Sequence, residues 1–256
     1  MIEIKGLRKS FEEKVVLNGV DMSIPNGSTT CIIGRSGCGK SVLLKHIVGL
    51  LIPDSGTVKV DGMEISSLSN FDLFQLRRKI GFVFQGSALF DSYNVFENIV
   101  IGLYEHGLRD NEKLESEAMR VLSAVGLLPE KKSDAAVFER EWKILKEKKP
   151  SDLSGGMKKR VGVARALVGE PSYIFYDEPT TGLDPVTSRQ IDQLIANLSK
   201  KLKITSLVIT HDMFSVFEVA DSVAMLEGGV VRFFGNATDL KESKDEKVIE
   251  FLSRYN

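Results

Sequence analysis

Polar and apolar residues alternate along the first 33 residues of the chain, which predicts short β-strands. The clearest runs are IEIKGL, which begins at Ile2, and STTCII, which leads into a glycine-rich segment. Apolar residues then recur at helical spacing from Val42 to Leu51, until turn-forming residues 53–56 end the pattern. The run TVKVDGMEI, with Asp61-Gly62 at its centre, predicts a β-hairpin.

The middle of the chain has a helical pattern with few strand signals, from about Ser87 to Val161. Within it, the charged run EREWKILKEKK predicts a solvated helix that turns Trp142, Ile144 and Leu145 partly inward. A contact with a partner protein is the other interpretation of this run. We expect the whole stretch to be a helical subdomain inserted into the fold.

Two apolar, β-rich runs follow, SYIFYDEP and ITSLVITHD, with a helical segment from Pro185 to Lys201 between them. A strand, a helix and a strand at this spacing predict a parallel sheet that is buried on both faces. The final residues, KVIEFLSRYN, predict a terminal helix. The pattern as a whole indicates an α/β fold.

Size and charge narrow the possible functions. A chain of 256 residues can bury one substantial core, and its net charge of −1 shows no basic excess, so we expect no nucleic-acid partner. The apolar stretch from Val42 to Ile52 is interrupted by two basic residues and is too short to span a membrane. The N-terminus alternates instead of forming a secretory apolar region, which favours a cytoplasmic location. Cys31 and Cys38 support neither a disulfide framework nor a zinc site.

The glycine-rich segment matches the phosphate-loop pattern G-x-x-x-x-G-K-[ST] in full, between a predicted strand and a predicted helix. Its glycines let successive amide groups point inward at an anion, next to the positive end of a helix dipole. We expect Lys40 to reach the β- and γ-phosphates of ATP and Ser41 to ligate Mg²⁺. The alternative is a glycine-rich turn without a ligand. The predicted phosphate-binding residues are Gly34, Arg35, Ser36, Gly37, Cys38, Gly39, Lys40, Ser41 and Val42.

Two residues in this loop have open interpretations. Cys38 is either a small tolerated side chain or, at a helix N-terminus, a thiol with a lowered pKa that is prone to oxidation. Val42 offers its backbone N–H to a phosphate, but it lacks a hydroxyl group for a further contact.

Further motifs follow the phosphate loop, and together they resemble the ABC superfamily over essentially the whole chain. They are Gln85 after IGFVF, the signature-like Leu153-Ser154-Gly155-Gly156-Met157, the Walker B-like run Tyr173–Glu178, the D-loop-like Gly182-Leu183-Asp184 and His211 after LVIT. The signature departs from the family pattern at Met157, where glutamine is usual. The resemblance implies a P-loop NTPase cassette with a RecA-like core, an N-terminal antiparallel β subdomain and an inserted α-helical subdomain. It divides a single domain into a core with the β subdomain, 1–85 and 162–256, and a helical signature subdomain, 86–161.

The apolar strand before Asp177 carries that carboxylate to the C-terminal edge of the sheet, where ligands bind in α/β folds. We expect Asp177 to hold Mg²⁺ and Glu178 to polarise the attacking water as general base. The resemblance implies that His211 orients this water and contacts the γ-phosphate, and that Gln85 senses Mg²⁺. The alternatives are a surface acidic pair, a structural histidine and an unremarkable glutamine.

Ser154, Gly155 and Gly156 are expected to open a second helix and to form a second anion site, or else a simple N-cap. The resemblance implies that two copies pair head to tail, so that the signature of one copy closes on ATP in the phosphate loop of the other. Phe11 stands where the family places an aromatic residue that stacks on adenine, although it would also suit the core.

A narrower resemblance concerns residues 84–99, FQGSALFDSYNVFENI, which with LSGGM and YDEPTTGLDP are similar to the ATPases of Mla-type systems. It implies transport of phospholipid or related lipid with a polytopic permease, an MCE-domain protein and a STAS-domain protein, at the cytoplasmic face of the inner membrane. The apolar residues between Asp91 and Ile101 are then expected to pack in the helical insert or to receive the permease. The alternatives are an ABC ATPase for another solute, a soluble non-transport ABC ATPase, and a nucleotide-binding module without hydrolysis.

Overall fold

The computed structural model describes residues 1–129 and 134–253.

The first of two sheets in these ranges is antiparallel and contains the N-terminal strands. The strand order in this sheet is β2-β1-β4-β5, and β1 pairs with β2 from Ile2 opposite Ile24. Because polar and apolar residues alternate, each of these strands buries one face. The strands are β1 (Ile2–Phe11), β2 (Lys14–Ile24), β4 (Ser55–Val60) and β5 (Met63–Glu64). The last two form the predicted hairpin, and this prediction is confirmed.

The second sheet has the order β10-β9-β3-β8-β7-β6 and carries the site. Its strands are β3 (Thr29–Ile33), β6 (Ile80–Val83), β7 (Tyr173–Asp177), β8 (Thr205–Ile209), β9 (Ser222–Glu227) and β10 (Val230–Gly235). All pairs are parallel except β9 with β10. Every residue of β3 and β8 is buried, as expected for a parallel sheet that is covered on both faces. The prediction that SYIFYDEP and ITSLVITHD belong to a parallel sheet is confirmed, and the two strands are neighbours in it, with Asp177 opposite Ile209.

Helices cover both faces of this sheet. They are α1 (Lys40–Ile47), α2 (Asn70–Arg77), α3 (Val95–Glu105), α4 (Asn111–Ala124), α5 (Ala135–Glu147), α6 (Gly155–Leu167), α7 (Pro185–Leu202), α8 (Met213–Val219), α9 (Ala237–Lys241) and α10 (Glu246–Leu252). One apolar core joins the sheet to α3–α7, and a second joins it to α1 and the antiparallel sheet. In the described ranges, no helix is long and apolar enough to cross a membrane.

Two details of the helix predictions are wrong. The first helix ends at Ile47 and not at Leu51, because Gly49 adopts φ 67° and a side chain there would meet Leu73 at 2.6 Å. In α5, Trp142 and Leu145 are buried, but Ile144 is 52% exposed. Phe138, Trp142 and Leu145 share a helix face at spacings of four and three residues, whereas Ile144 points away from it.

The described elements of the insert are helical, as predicted, and α6 leads out of it. The predicted subdomain boundary at 161 falls inside α6, so one continuous helix joins the signature to the core. The predicted C-terminal helix forms as α10, and its last predicted residues, 254–256, lie outside the described residues.

Candidate functional site

The phosphate loop connects β3 to α1, and its backbone requires glycine. Gly34, Gly37 and Gly39 all have positive φ, at 147°, 77° and 107°. A Cβ atom on Gly34 would lie 2.3 Å from the carbonyl oxygen of Leu226, and one on Gly39 would lie 2.8 Å from Leu17. The loop therefore curls tightly against the core in a conformation that other residues adopt only with strain.

The side chain of Lys40 is buried inside this loop, and its Nζ donates to the carbonyls of Gly34 at 2.8 Å and Arg35 at 3.0 Å. Phosphate oxygens could replace these carbonyls as acceptors for the same ammonium group. The Arg35 side chain turns away and pairs with Glu250 at 2.5 Å, so only the backbone of Arg35 faces the loop. Cys38 is partly buried, and burial is the main cause that raises the pKa of its thiol, which argues against a reactive thiolate.

A cavity of about 600 Å³ opens in front of the loop. It brings together residues that lie far apart in the sequence, from the loop, the ends of β6, β7 and β8, and strand β2. The lining residues are Val16, Gly34, Ser36, Gly37, Gly39, Lys40, Ser41, Val42, Gln85, Asp177, Glu178, Ile209 and His211. Most of the predicted site residues thus converge on one space at the C-terminal edge of the parallel sheet, where α/β folds bind ligands.

Six predicted site residues are not among the described lining residues of this cavity: Phe11, Arg35, Cys38, Ser154, Gly155 and Gly156. Phe11 lies nearest in sequence to the cavity-lining strand β2. It ends β1 with its ring 43% exposed, and Val16 of the neighbouring strand β2 lines the cavity instead. The exposed ring remains available for stacking on a base.

The two acidic residues at the end of β7 both line this cavity but differ in backbone conformation. Asp177 ends the strand, whereas Glu178 has φ 50°, an unusual value outside glycine, and its N–H donates to Ile209 of β8 at 2.9 Å. Burial, followed by the nearby charge of Glu178, raises the pKa of Asp177, and Lys40 and Lys45 act in the opposite direction. A cation at Asp177 would favour its ionised form.

The carboxylate of Glu178 is held by two neighbours. His211 Nδ1 lies 2.7 Å from Glu178 Oε2, and the Thr181 hydroxyl donates to the same oxygen at 3.1 Å. The Glu178 side chain is 15% exposed, whereas His211 is 53% exposed at the cavity mouth. Two neighbours thus fix this carboxylate beside the phosphate loop, which is compatible with the expected role of Glu178 as general base.

The donor set near the loop suits Mg²⁺. The Ser41 hydroxyl, the Asp177 carboxylate and the Gln85 amide are all oxygen donors that line the same cavity. Among the described residues, no group of three or more His, Cys, Asp or Glu side chains could hold a metal ion by itself. This composition matches a magnesium ion that keeps water ligands and is held partly by substrate phosphates.

The signature residues lie apart from this cavity, at the N-terminus of α6. Ser154 caps α6, and its hydroxyl accepts from the N–H of Met157 at 3.2 Å, as the N-cap prediction requires. Gly155 and Gly156 pack closely on Leu183 and Thr187, where added Cβ atoms would lie at 3.3 and 2.8 Å. None of residues 154–156 is among the described residues that line the phosphate-loop cavity.

Sequence reasoning missed three polar residues near the site. Thr181 holds Glu178, Lys159 donates to the backbone carbonyl of Gln85, and Arg165 donates to the backbone of residues 87 and 88. A signal for Lys159 was present, because it lies three and seven residues before the buried Gly162 and Ala166, on the inward face of α6. Thr181 gave no signal, since a threonine in a turn is common.

A parallel sheet with a phosphate loop after one strand and an acidic pair after another defines a P-loop nucleotide hydrolase. The model of the ABC transporter family matches residues 17–181, and the chain belongs to this family. It is therefore an ATP-binding, ATP-hydrolysing subunit of the ABC transporter type.

Three curated relatives align with nearly the whole chain. The methionine import ATP-binding protein MetN of Carboxydothermus hydrogenoformans is 43% identical, over 94% of this chain and 67% of its own length. The probable ribonucleotide transport ATP-binding protein mkl of Mycobacterium leprae is 36% identical, over 98% of this chain and 68% of its own length. The intermembrane phospholipid transport system ATP-binding protein MlaF of Haemophilus influenzae is 34% identical, over 98% of this chain and 90% of its own length. The chain thus spans about two thirds of the first two relatives.

A solved structure supports the fold directly. The dimeric structure of MJ0796, a bacterial ABC transporter cassette, superposes with a TM-score of 0.78 at 31% identity, over 92% of this chain and 98% of that one. A second dimeric structure of the same cassette is a post-hydrolysis state bound to ADP and Pi, with a TM-score of 0.77.

Proposed function

We propose that this chain powers the transport of phospholipid or a related lipid between membranes, through a separate polytopic permease. ATP hydrolysis is supported most directly by the convergence of four residues on one cavity: Lys40, Asp177, Glu178 and His211. The expected further partners are an MCE-domain lipid-binding protein and a STAS-domain protein. The chain would then lie at the cytoplasmic face of the inner membrane, attached through the permease.

In the proposed mechanism, the loop amides and Lys40 bind the phosphates of ATP. Ser41, Asp177 and Gln85 would hold Mg²⁺, which would neutralise charge on the phosphates. Glu178 accepts the proton of the attacking water, and His211 and Thr181 keep its carboxylate oriented. Phe11 stacks on the adenine ring.

The second half of each site would come from another copy of the chain. Ser154, Gly155 and Gly156 present a helix N-terminus, which attracts anions, yet they lie outside the cavity of their own chain. A head-to-tail homodimer would place them on the ATP of the partner, and the dimeric MJ0796 cassettes support this proposal.

The permease surface proposed here differs from the one expected between residues 91 and 101. Val95, Ile99 and Val100 are buried and Tyr93 and Phe96 are partly buried, so most of that segment packs inside the helical insert. A mostly apolar cavity of about 380 Å³ lies instead between α1, α2 and β6, and its inner end reaches Ser41 and Asp177. Two apolar residues that line it, Leu50 and Phe84, are strongly exposed, and so are Phe71 and Phe74 on α2. An apolar cytoplasmic segment of the permease would cover this surface.

Two observations favour lipid as the substrate. The phospholipid relative matches this chain over 90% of its own length. Residues 84–99, of which Phe84 lines the proposed permease surface, resemble the same group. The second candidate is import of a small solute such as methionine, which the higher identity of 43% to a methionine importer favours.

Purification of the chain with its permease from membranes, followed by reconstitution in vesicles, tests the choice of substrate. We expect an MCE-domain protein to accompany the permease, and fluorescent phospholipid to move between vesicles only with ATP. The same complex carrying Lys40→Ala is the control and should move none. If the ATPase activity of the complex responds to methionine or ribonucleotides and not to lipid, the substrate is a small solute and the lipid proposal is wrong.

A further inference from the structure

The loop that follows β6 contains an unusual stretch of backbone. Ser87 and Ala88 have φ values of 63° and 44°, in the left-handed region that costs an L-residue about 1–2 kcal/mol. Ser87 is also buried, at 3% exposure. The buried carbonyl of Ser87 needs a hydrogen-bond donor, and residues 85–88 lie beyond the end of β6, outside the sheet ladder.

Helix α6 provides the donors from two cationic side chains. Lys159 Nζ donates to the carbonyl of Gln85, and Arg165 donates to the carbonyls of Ser87 at 2.8 Å and Ala88 at 2.7 Å. Lys159 is only 5% exposed, and burial lowers its pKa, while the negative charge of Glu178 acts in the opposite direction. The ammonium group therefore contacts the Gln85 backbone and also experiences the negative charge of the proposed general base, Glu178.

Helix α6 can approach the loop this closely because the residues between them have small or no side chains. Gly162 lies between the two cations, and a Cβ atom on it would already touch Ser87 at 3.5 Å. Further along, a Cβ atom on Gly81 of β6 would lie 2.1 Å from the carbonyl oxygen of Ala166. One face of α6 thus follows β6 and its loop from residue 81 to residue 88.

We propose that Lys159 and Arg165 are positioning residues for ATP hydrolysis, which hold loop 85–88 so that Gln85 and the signature helix move as one unit. Because α6 begins at the signature, a shift of that helix on contact with a partner's ATP would be transmitted directly to Gln85. The inference rests on the roles proposed above for Gln85, the signature and Glu178.

Lys159→Met tests this inference, because it removes the donor while preserving length and apolar volume. We expect turnover to fall about ten-fold or more, while the affinity of the chain for ATP stays within about two-fold, since Lys159 does not touch the phosphate loop. Amide hydrogen exchange of the peptide covering 84–90 should accelerate in the variant. Lys159→Arg keeps a cationic donor and should restore slow exchange and most of the turnover.

The matched control is Lys158→Met, the same substitution one residue earlier on α6, which should leave exchange in 84–90 unchanged. Normal turnover and normal exchange in Lys159→Met would overturn the inference, as would equal acceleration in the control. Glu178→Gln is measured alongside. If it abolishes hydrolysis while Lys159→Met has no effect, only the positioning role fails; if it hydrolyses ATP normally, the proposed mechanism itself fails.

Discussion

The phosphate-loop region and the signature region are both helix N-termini with glycine and serine, but their surroundings differ. The phosphate loop faces a cavity of about 600 Å³ that already contains a buried lysine, two carboxylates and a histidine. The signature has only its N-cap and two tightly packed glycines, and its serine is exposed. One region therefore carries the groups proposed for hydrolysis, and the other is proposed to bind an anion without contributing a base or a metal ligand.

This difference explains why a single copy is expected to bind ATP but not to complete its site. A helix N-terminus attracts phosphate through its unpaired N–H groups and dipole, yet it supplies neither a base nor a metal ligand. In the proposed homodimer, the two regions become complementary because a second copy turns its signature towards the loop. The variants below separate the two regions, beginning with the largest expected effect.

Glu178→Gln removes the proposed base from the phosphate-loop region and leaves the size of the side chain nearly unchanged. We expect turnover to fall by about 10²–10⁴-fold, because the amide cannot accept a proton from water. ATP binding should persist, and a dimer should accumulate with ATP in size-exclusion chromatography with light scattering. Glu242→Gln, at an exposed position on the end of α9, is the charge-matched control. Unchanged turnover in Glu178→Gln would show that another group is the base.

Ser154→Asp separates binding from assembly. Aspartate caps a helix as well as serine does, so α6 should remain intact, but its charge would repel a phosphate group arriving from a partner. We expect turnover to fall on the order of 100-fold while ATP affinity of the isolated chain is unchanged.

Lys40→Ala is the opposite case and should weaken ATP binding itself by about ten-fold or more. Titration with a fluorescent ATP analogue measures the affinity of the Lys40→Ala and Ser154→Asp variants. Ser154→Asn, which is neutral and also a good N-cap, is the size-matched control for Ser154→Asp. The distinction between the regions fails if Ser154→Asp weakens binding in the isolated chain as much as Lys40→Ala does.

Asp192 allows stability to be examined apart from catalysis. It is 4% exposed on α7, accepts from the Ser215 hydroxyl at 2.8 Å, and burial raises its pKa from the ordinary value of 3.8 to about 6. Between these values the folded state retains a proton that the unfolded state has lost. Stability should therefore fall as pH rises from about 4 to about 6 and then level off.

Asp192→Asn should remove this dependence and raise the free energy of unfolding at pH 7.5 by about 1–3 kcal/mol, with a smaller gain at pH 5. Denaturant unfolding at the two pH values measures the difference. An equal gain at both values would assign the effect to packing and not to ionisation.

Much of the fold was predictable because its signals are local. Alternation in the N-terminal strands, the apolar runs of β7 and β8 and the glycine pattern of the phosphate loop each depend on neighbours in sequence. The roles of Lys159 and Arg165 could not be predicted from the sequence, because their partners are loop carbonyls more than 70 residues away in the chain. The positive φ of Glu178 could not be predicted either, since it accompanies a backbone hydrogen bond to Ile209 of β8.

Cross-linking between two differently tagged copies tests the shared site most directly. Both copies carry Glu178→Gln and Cys38→Ser, and Cys31 is fully buried. One copy has Ser36→Cys in the phosphate loop, and the other has Ser154→Cys at the signature. With ATP and Mg²⁺, a short bis-maleimide reagent should join the mixed pair and not pairs with cysteine at the same position. Cross-links between like positions, or none in the mixed pair with ATP bound, would contradict head-to-tail pairing.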